Sequence, residues 1–205
     1  MRSVPPVPDH LSLRLWTEDW LRPFDLENEW EQTGPRAVDL GCGKGRFLLA
    51  HAKNHPEMRI LGIERKLRRV RKIDRKASRA ELHNLRVLRM EANYAMRYLM
   101  PDHWIDICYI YFPDPWPKDR HSDHRLLTPD FMDVLEQKLS TAGTVHFATD
   151  HEPYFEEVMQ HLLPDTRWKE IPAYLPTEEE TSDFELMWRA EGKPSYRYSF
   201  TRADA

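Results

Sequence analysis

The run that most constrains this chain is Ala37-Val38-Asp39-Leu40-Gly41-Cys42-Gly43-Lys44-Gly45, an apolar strand that passes directly into a glycine-rich turn. A helical period opens at about Gly45 and continues to Asn54. Glycine permits the tight turn such a junction needs and leaves the backbone open to a ligand, because no side chain stands in the way. The strand-and-helix alternation then repeats. Further strands are expected at 59–64, 85–88, 105–112 and 144–148, with helices at 129–139 and 153–163. Between the second and third strands a helix carries Leu67, Val70, Ile73 and Ala77 on one face. Strands joined through single helices pair in parallel by right-handed crossovers, which implies an α/β, three-layer sandwich. Residues 167–174 and 195–201 read as two more strands flanking an acidic, polar insertion. Residues 1–35 hold Trp16, Trp20, Phe24 and Trp30 among prolines and acids without a clean period, and are read as an arm packed on a domain of residues 36–205.

In a parallel sheet of this kind ligands bind beyond the carboxyl ends of the strands. The glycines alone would serve a dinucleotide, a methyl donor or a close strand–helix contact, but their Gly-x-Gly-x-Gly spacing departs from the dinucleotide fingerprint. Glu64 ends the second strand, where a carboxylate can accept the two hydroxyls of a ribose. Asp39 discriminates further: a carboxylate favours a sulfonium or ammonium and repels a pyrophosphate. A turn-capping role would also suit it. At the third strand's end Glu91-Ala92-Asn93 can address an adenine ring, or Glu91 can simply be the acid of a helix N-terminus.

The stretch Phe112-Pro113-Asp114-Pro115-Trp116-Pro117-Lys118 is the most informative. Its three prolines bar a helix and stiffen the loop at the centre of the sheet edge, holding Asp114 and Trp116 in defined places. A carboxylate can take the N–H donors of guanine, and an aromatic or proline face can stack an extruded base. Lys118, Arg120, His121 and Arg125 would supply phosphate contacts beside that pocket.

Charge distribution agrees with a polyanionic partner. The net charge is −4, yet residues 65–79 contain nine Lys or Arg and a single acid, Asp74. One positive face on an otherwise acidic molecule is implied. No apolar run is long enough to span a bilayer, and the proline-rich start lacks the apolar stretch of a secretory signal, so a cytoplasmic address is expected. Two cysteines without a Cys-x-x-Cys pair argue against a disulfide framework or thiolate zinc. Of the ten histidines, His121 and His124 come nearest to ligand spacing and lack a second pair, so no metal is expected.

Taken in order, Gly41-Cys42-Gly43-Lys44-Gly45, Gly62-Ile63-Glu64, Phe112 to Lys118 with Arg120-His121, Ala148-Thr149-Asp150 and Phe184-Glu185 resemble the tRNA (guanine-N7)-methyltransferases over residues 36–200. That resemblance implies a Rossmann-like class I methyltransferase fold, with a mostly parallel seven-stranded sheet and an antiparallel C-terminal strand. It implies S-adenosyl-L-methionine as donor, and as substrate tRNA methylated at guanosine 46 of the variable loop, by a monomer or homodimer. It further assigns Asp39, Gly41, Gly43, Glu64, Glu91, Ala92 and Asp114 to the donor, with Asp114 also catalytic. Lys118, Asp150, Ser182, Asp183, Phe184 and Glu185 are assigned to substrate. Glu91 stands where the family more often has Asp, and Ser182 where it has Thr, although Thr181 is adjacent. The residues by themselves also suit an exocyclic-amine methyltransferase, a catalytically silent RNA-binding subunit or, least well, a dinucleotide oxidoreductase.

Overall fold

The computed structural model describes residues 12–17, 19–116 and 125–204. Strands β1 (Arg14–Leu15), β2 (Arg36–Leu40), β3 (Arg59–Ile63), β4 (Leu85–Leu88), β5 (Ile105–Tyr111), β6 (Leu139–Thr149), β7 (Trp168–Glu170) and β8 (Tyr196–Arg202) form one sheet. Its order is β1-β4-β3-β2-β5-β6-β8-β7. β1 to β6 are mutually parallel, and β8 runs antiparallel to both of its neighbours. The expected parallel sheet with an antiparallel C-terminal strand is present.

Helices α1 (Arg46–Asn54) and α2 (Leu67–Arg79) cover one face. Their Phe47, Leu48, Val70, Ile73 and Ala77 meet Ala37, Ile60 and Tyr109 of the sheet. The opposite face carries α3 (Ala92–Tyr94), which continues as a π-helical turn over Ala95–Leu99, together with α4 (Pro129–Lys138) and α5 (Glu152–Leu162). Met96, Leu99, Phe131, Leu135, Tyr154 and Val158 pack there against Val38, Leu40, Ile110 and Phe147. All five residues of β3 are buried, as a strand covered on both faces requires.

The helical run over Ala92–Leu99 is not among the expected helices, and two further elements depart from the sequence reading. Resemblance implies seven strands, whereas the sheet has eight, because Arg14 and Leu15 of the arm add an edge strand paired with Val87 and Leu88. The arm is fastened by more than that pairing. Leu15, Leu26 and Trp30 are buried, the Trp30 indole N–H donates to the Asn84 carbonyl at 2.9 Å, and Ser12 and the Leu13 amide donate to Asp74. A strand of two residues is too short to show an alternating period. The second departure is α6 (Asp183–Ala190), a helix within the segment read as polar insertion.

The chain winds from β2 outward through β3 and β4, then returns to place β5 on the other side of β2. That reversal opens a crevice at the carboxyl ends of β2 and β5. The strand tips around it are tied together. The Gly41 and Cys42 amides donate to the Ile63 carbonyl at 2.8 and 3.0 Å, Glu64 N–H to Leu88 at 3.1 Å, and Phe112 N–H to Ala148 at 2.7 Å.

Candidate active site

The turn after β2 adopts the conformation its glycines allow. Gly41, Gly43 and Gly45 have φ of +77°, +59° and +76°. At Gly45 a Cβ would lie 2.6 Å from Cγ1 of Ile73, so a side chain there would push α2 away; beside Gly41 the space is open. Two recesses share Gly41 and Phe184 in their walls. The narrow one is lined by Asp39, the glycine turn, Tyr111, Ser182 and Asp183. The wide one, about 380 Å³, is lined by Glu64, Glu91, Ala92, Asp114 and Trp116 and by apolar Leu40, Ile63, Met90 and Leu126.

Asp39 lies at the end of β2, 4% exposed. Burial, and then the nearby Glu64 carboxylate, push its carboxyl pKa up to about 8. The Tyr111 hydroxyl in the same recess is buried without a hydrogen-bond partner among the described residues. A buried acid of this kind and an orphaned hydroxyl are the groups that an incoming ammonium and carboxylate would satisfy. Glu64 is also buried; its Oε1 accepts the Lys66 amide at 2.7 Å and its Oε2 accepts Arg69 Nη1 at 3.1 Å. A carboxylate offers about four acceptor positions, so two remain to face the wide recess.

Glu91 lines the cavity, but its carboxylate caps α3 by accepting the Asn93 and Tyr94 amides at 3.0 and 2.8 Å. The helix-terminal role is therefore filled, and, as at Glu64, two further acceptor positions of the carboxylate remain beside Ala92 in the recess wall. Sequence reading missed Met90 and Leu126: isolated apolar residues in loops carry no period, and only the fold brings them to one wall.

The loop after β5 is held in a demanding shape. Phe112 and Trp116 both have positive φ, +52° and +43°, a region costing bulky residues about 1–2 kcal/mol each. Arg125 holds this shape in place. Its Nε donates to the Pro115 carbonyl at 2.8 Å, its Nη2 to the Trp116 carbonyl at 3.1 Å, and its Nη1 pairs with Glu157 of α5. Arg125 is thus turned inward as a brace, correcting its reading as a phosphate contact. Asp114, framed by this loop, points to solvent at the cavity mouth, with Arg65 at 3.7 Å.

The remaining expected residues separate into two groups. Ser182 caps α6 by accepting the Glu185 amide at 3.1 Å, and Ser182, Asp183 and Phe184 line the cleft. Thr181 is fully buried and its hydroxyl donates to the Thr177 carbonyl at 3.0 Å, so Ser182 is the residue that can meet a ligand. Glu185 is buried, ion-paired with Arg189 and Arg197, and faces away from solvent. Asp150 sits half-buried at the tip of β6 and lines neither recess. Lys118, with Arg120, His121 and His124, lies outside the described residues.

Beside the cleft, α2 exposes Arg68, Arg71, Lys72, Lys76 and Arg79. Its one acid, Asp74, is turned to the opposite side, where it anchors the arm. Arg69 does not belong to the free basic face, because Glu64 draws it inward. No helix among the described residues is long and apolar enough to cross a membrane.

Residues 33–198 match a family model described as a putative methyltransferase. The curated tRNA (guanine-N(7)-)-methyltransferase of Idiomarina loihiensis is 33% identical over 173 residues, covering 83% of this chain and 71% of that protein. Proteins of the same name from Thermotoga maritima and Acinetobacter baylyi are 32% and 42% identical, over 85% and 67% of this chain. The chain spans 56% of the length of each of these two relatives. Among solved structures, the 16S rRNA methyltransferase KamB superposes with a TM-score of 0.65 at 17% identity, over 87% of this chain and 93% of that one, which is a likeness of fold. Fold, strand-tip carboxylates and sequence identity together place this chain in the tRNA (guanine-N(7)-)-methyltransferase family.

Proposed function

We propose that this chain transfers the methyl group of S-adenosyl-L-methionine to N7 of guanine in tRNA, at guanosine 46 of the variable loop. The observation that carries the reading is the pair of recesses sharing Gly41 and Phe184, with the buried Asp39 in one and Glu64, Asp114 and Trp116 around the other. The donor supplies an electrophilic methyl on a sulfonium. Asp39 and the Tyr111 hydroxyl would hold its amino-acid end, Glu64 its ribose, and Ala92 with Met90 and Leu126 its adenine.

Guanine N7 carries a lone pair and no proton at neutral pH, so no general base is required. The chain's contribution is then alignment, which an unrestrained loop could not supply. Arg125 and the prolines hold Asp114 and Trp116 at the mouth of the wide recess, where the carboxylate can accept guanine N–H groups and the ring can stack. Asp114 also lies where it would stabilise positive charge as it passes into the purine. The exposed cations of α2 would track the phosphate backbone. A cytoplasmic monomer or homodimer is sufficient for this chemistry.

The test is incubation with methyl-labelled donor and tRNA, then digestion and identification of the nucleoside. N7-methylguanosine is expected, with the label lost when guanosine 46 is replaced. Methyl on an exocyclic amine would replace this reading with the rival enzyme class, and failure to bind donor would leave an RNA-binding module. Asp114→Ala should lower turnover by about 100- to 1000-fold while the fold survives, and near-normal activity would overturn its assignment.

A further inference from the structure

Outside the cleft, toward the C-terminal end of α1 and partly beneath it, a second group of chemically active side chains converges. His51 and His55 are four residues apart on α1 and its C-cap, which brings both imidazoles to one side, with ring centroids 4.4 Å apart. Glu180, from the segment leading into α6, reaches between them: His51 Nδ1 lies 3.1 Å and His55 Nε2 3.6 Å from its Oε1. All three ligand atoms lie within 4.8 Å of one another.

We propose that His51 Nδ1, His55 Nε2 and Glu180 Oε1 form a site for a divalent ion of the zinc class, which fastens the segment before α6 to α1. Two imidazoles and a carboxylate are a donor set that suits zinc. A tetrahedral ion with bonds of about 2.0–2.1 Å holds its ligand atoms about 3.3 Å apart; the two separations from Glu180 Oε1 bracket that figure, and the two imidazole nitrogens lie within 4.8 Å of each other.

Every ligand also has an outer partner that orients it. The Tyr109 hydroxyl lies 3.1 Å from His51 Nε2, the Glu57 carboxylate 3.4 Å from His55 Nδ1, and Glu180 Oε2 accepts the Tyr174 hydroxyl at 2.8 Å. A carboxylate behind a histidine is a recurrent means of presenting the other ring nitrogen to a metal. Charge points the same way. Glu180 is 1% exposed, and no Lys or Arg pairs with it among the described residues, so the buried carboxylate lacks a permanent cation. His55 is one-third exposed and leaves an entry path and a fourth position for water. On binding, neutral His51 changes tautomer: the ion takes the Nδ1 lone pair in place of the proton facing Glu180, and the ring proton sits on Nε2, where the Tyr109 hydroxyl oxygen can accept it.

The site would act on the cleft from behind. Glu180 precedes Ser182, Asp183 and Phe184 by a few residues, and Arg46 at the start of α1 already donates to the Thr181 carbonyl at 2.8 Å. An ion there would pin the cleft wall to the helix that begins at the glycine turn. Sequence spacing directs attention to His121 and His124; the fold supplies the third ligand to His51 and His55.

The test uses the full chain, stripped with a chelator, desalted and titrated with Zn(II), and separately with Co(II) followed by visible absorption. One equivalent per chain, the intense Co(II) bands of a four-coordinate site and a Zn(II)-dependent rise in Tm are expected. His55→Ala, chosen because this side chain is partly exposed and its loss should leave the fold intact, should lose all three responses. Glu57→Gln should weaken Zn(II) binding by about tenfold. His161→Ala, on the exposed side of α5, should change nothing. Equal Zn(II) binding by wild type and His55→Ala, or no Co(II) band in either, would overturn the assignment.

Discussion

Replacing Asp39 by Asn separates what this residue costs the fold from what it offers a ligand. Burial and the neighbouring Glu64 raise its pKa from 3.8 to about 8, so the folded protein holds the proton more tightly than the unfolded chain does. The sign follows from linkage. The stability associated with the protonated acid is fully present below pH 4 and is lost progressively as pH rises toward 8, at about 1.4 kcal/mol per pH unit. An uncharged, nearly isosteric Asn escapes that loss. Asp39→Asn should therefore match wild type near pH 4 and exceed it by about 4 kcal/mol at pH 7, a large part of the stability of an ordinary domain. Urea unfolding of both proteins from pH 4 to pH 9 measures the difference, in which the titration of groups that do not interact with Asp39 cancels. The same variant should bind S-adenosyl-L-methionine more weakly, by about 1.5–3 kcal/mol for removal of one charge-assisted hydrogen bond. Parallel stability curves across that range would refute a desolvated Asp39. Greater stability with undiminished donor binding would remove it from the donor site.

Three further outcomes follow from the same geometry. Arg125→Met keeps an unbranched stem but removes the guanidinium that holds the Pro115 and Trp116 carbonyls and Glu157, so turnover should fall by up to about 100-fold in steady-state assays with little loss of helix content by circular dichroism. Ser182→Ala should lower stability by about 1 kcal/mol through loss of the α6 cap, whereas Ser182→Thr should keep both Tm and activity. Neutralising Arg68, Arg71, Lys72 and Lys76 together should flatten the dependence of tRNA affinity on salt by about 0.7–0.9 for each phosphate no longer neutralised, and an unchanged slope would place the RNA on another face.

What the linear chain determined is the part governed by local periodicity and by residues with special backbone requirements. The alternation of strand and helix from residue 36 onward, the glycine turn after β2, and the carboxylates at the tips of β2 and β3 are all legible because buried parallel strands and amphipathic helices need those patterns. The proline-framed loop is legible for the same reason, since proline restricts its own φ and the conformation of its neighbour. Tertiary structure alone decided which of several partners a polar side chain meets. Arg125 stands in a cationic stretch but is claimed by two loop carbonyls and Glu157, and Arg69 leaves the basic face of α2 for Glu64. Glu91 caps α3 while lining the recess, and Thr181 is buried while Ser182, one residue later, opens onto the cleft. His51, His55 and Glu180 are brought together across more than a hundred residues. Pairings of this kind depend on which surfaces the packed layers press together. No local pattern encodes them, because the partner is chosen by distance in space and by the cost of leaving a buried charge or donor unmatched.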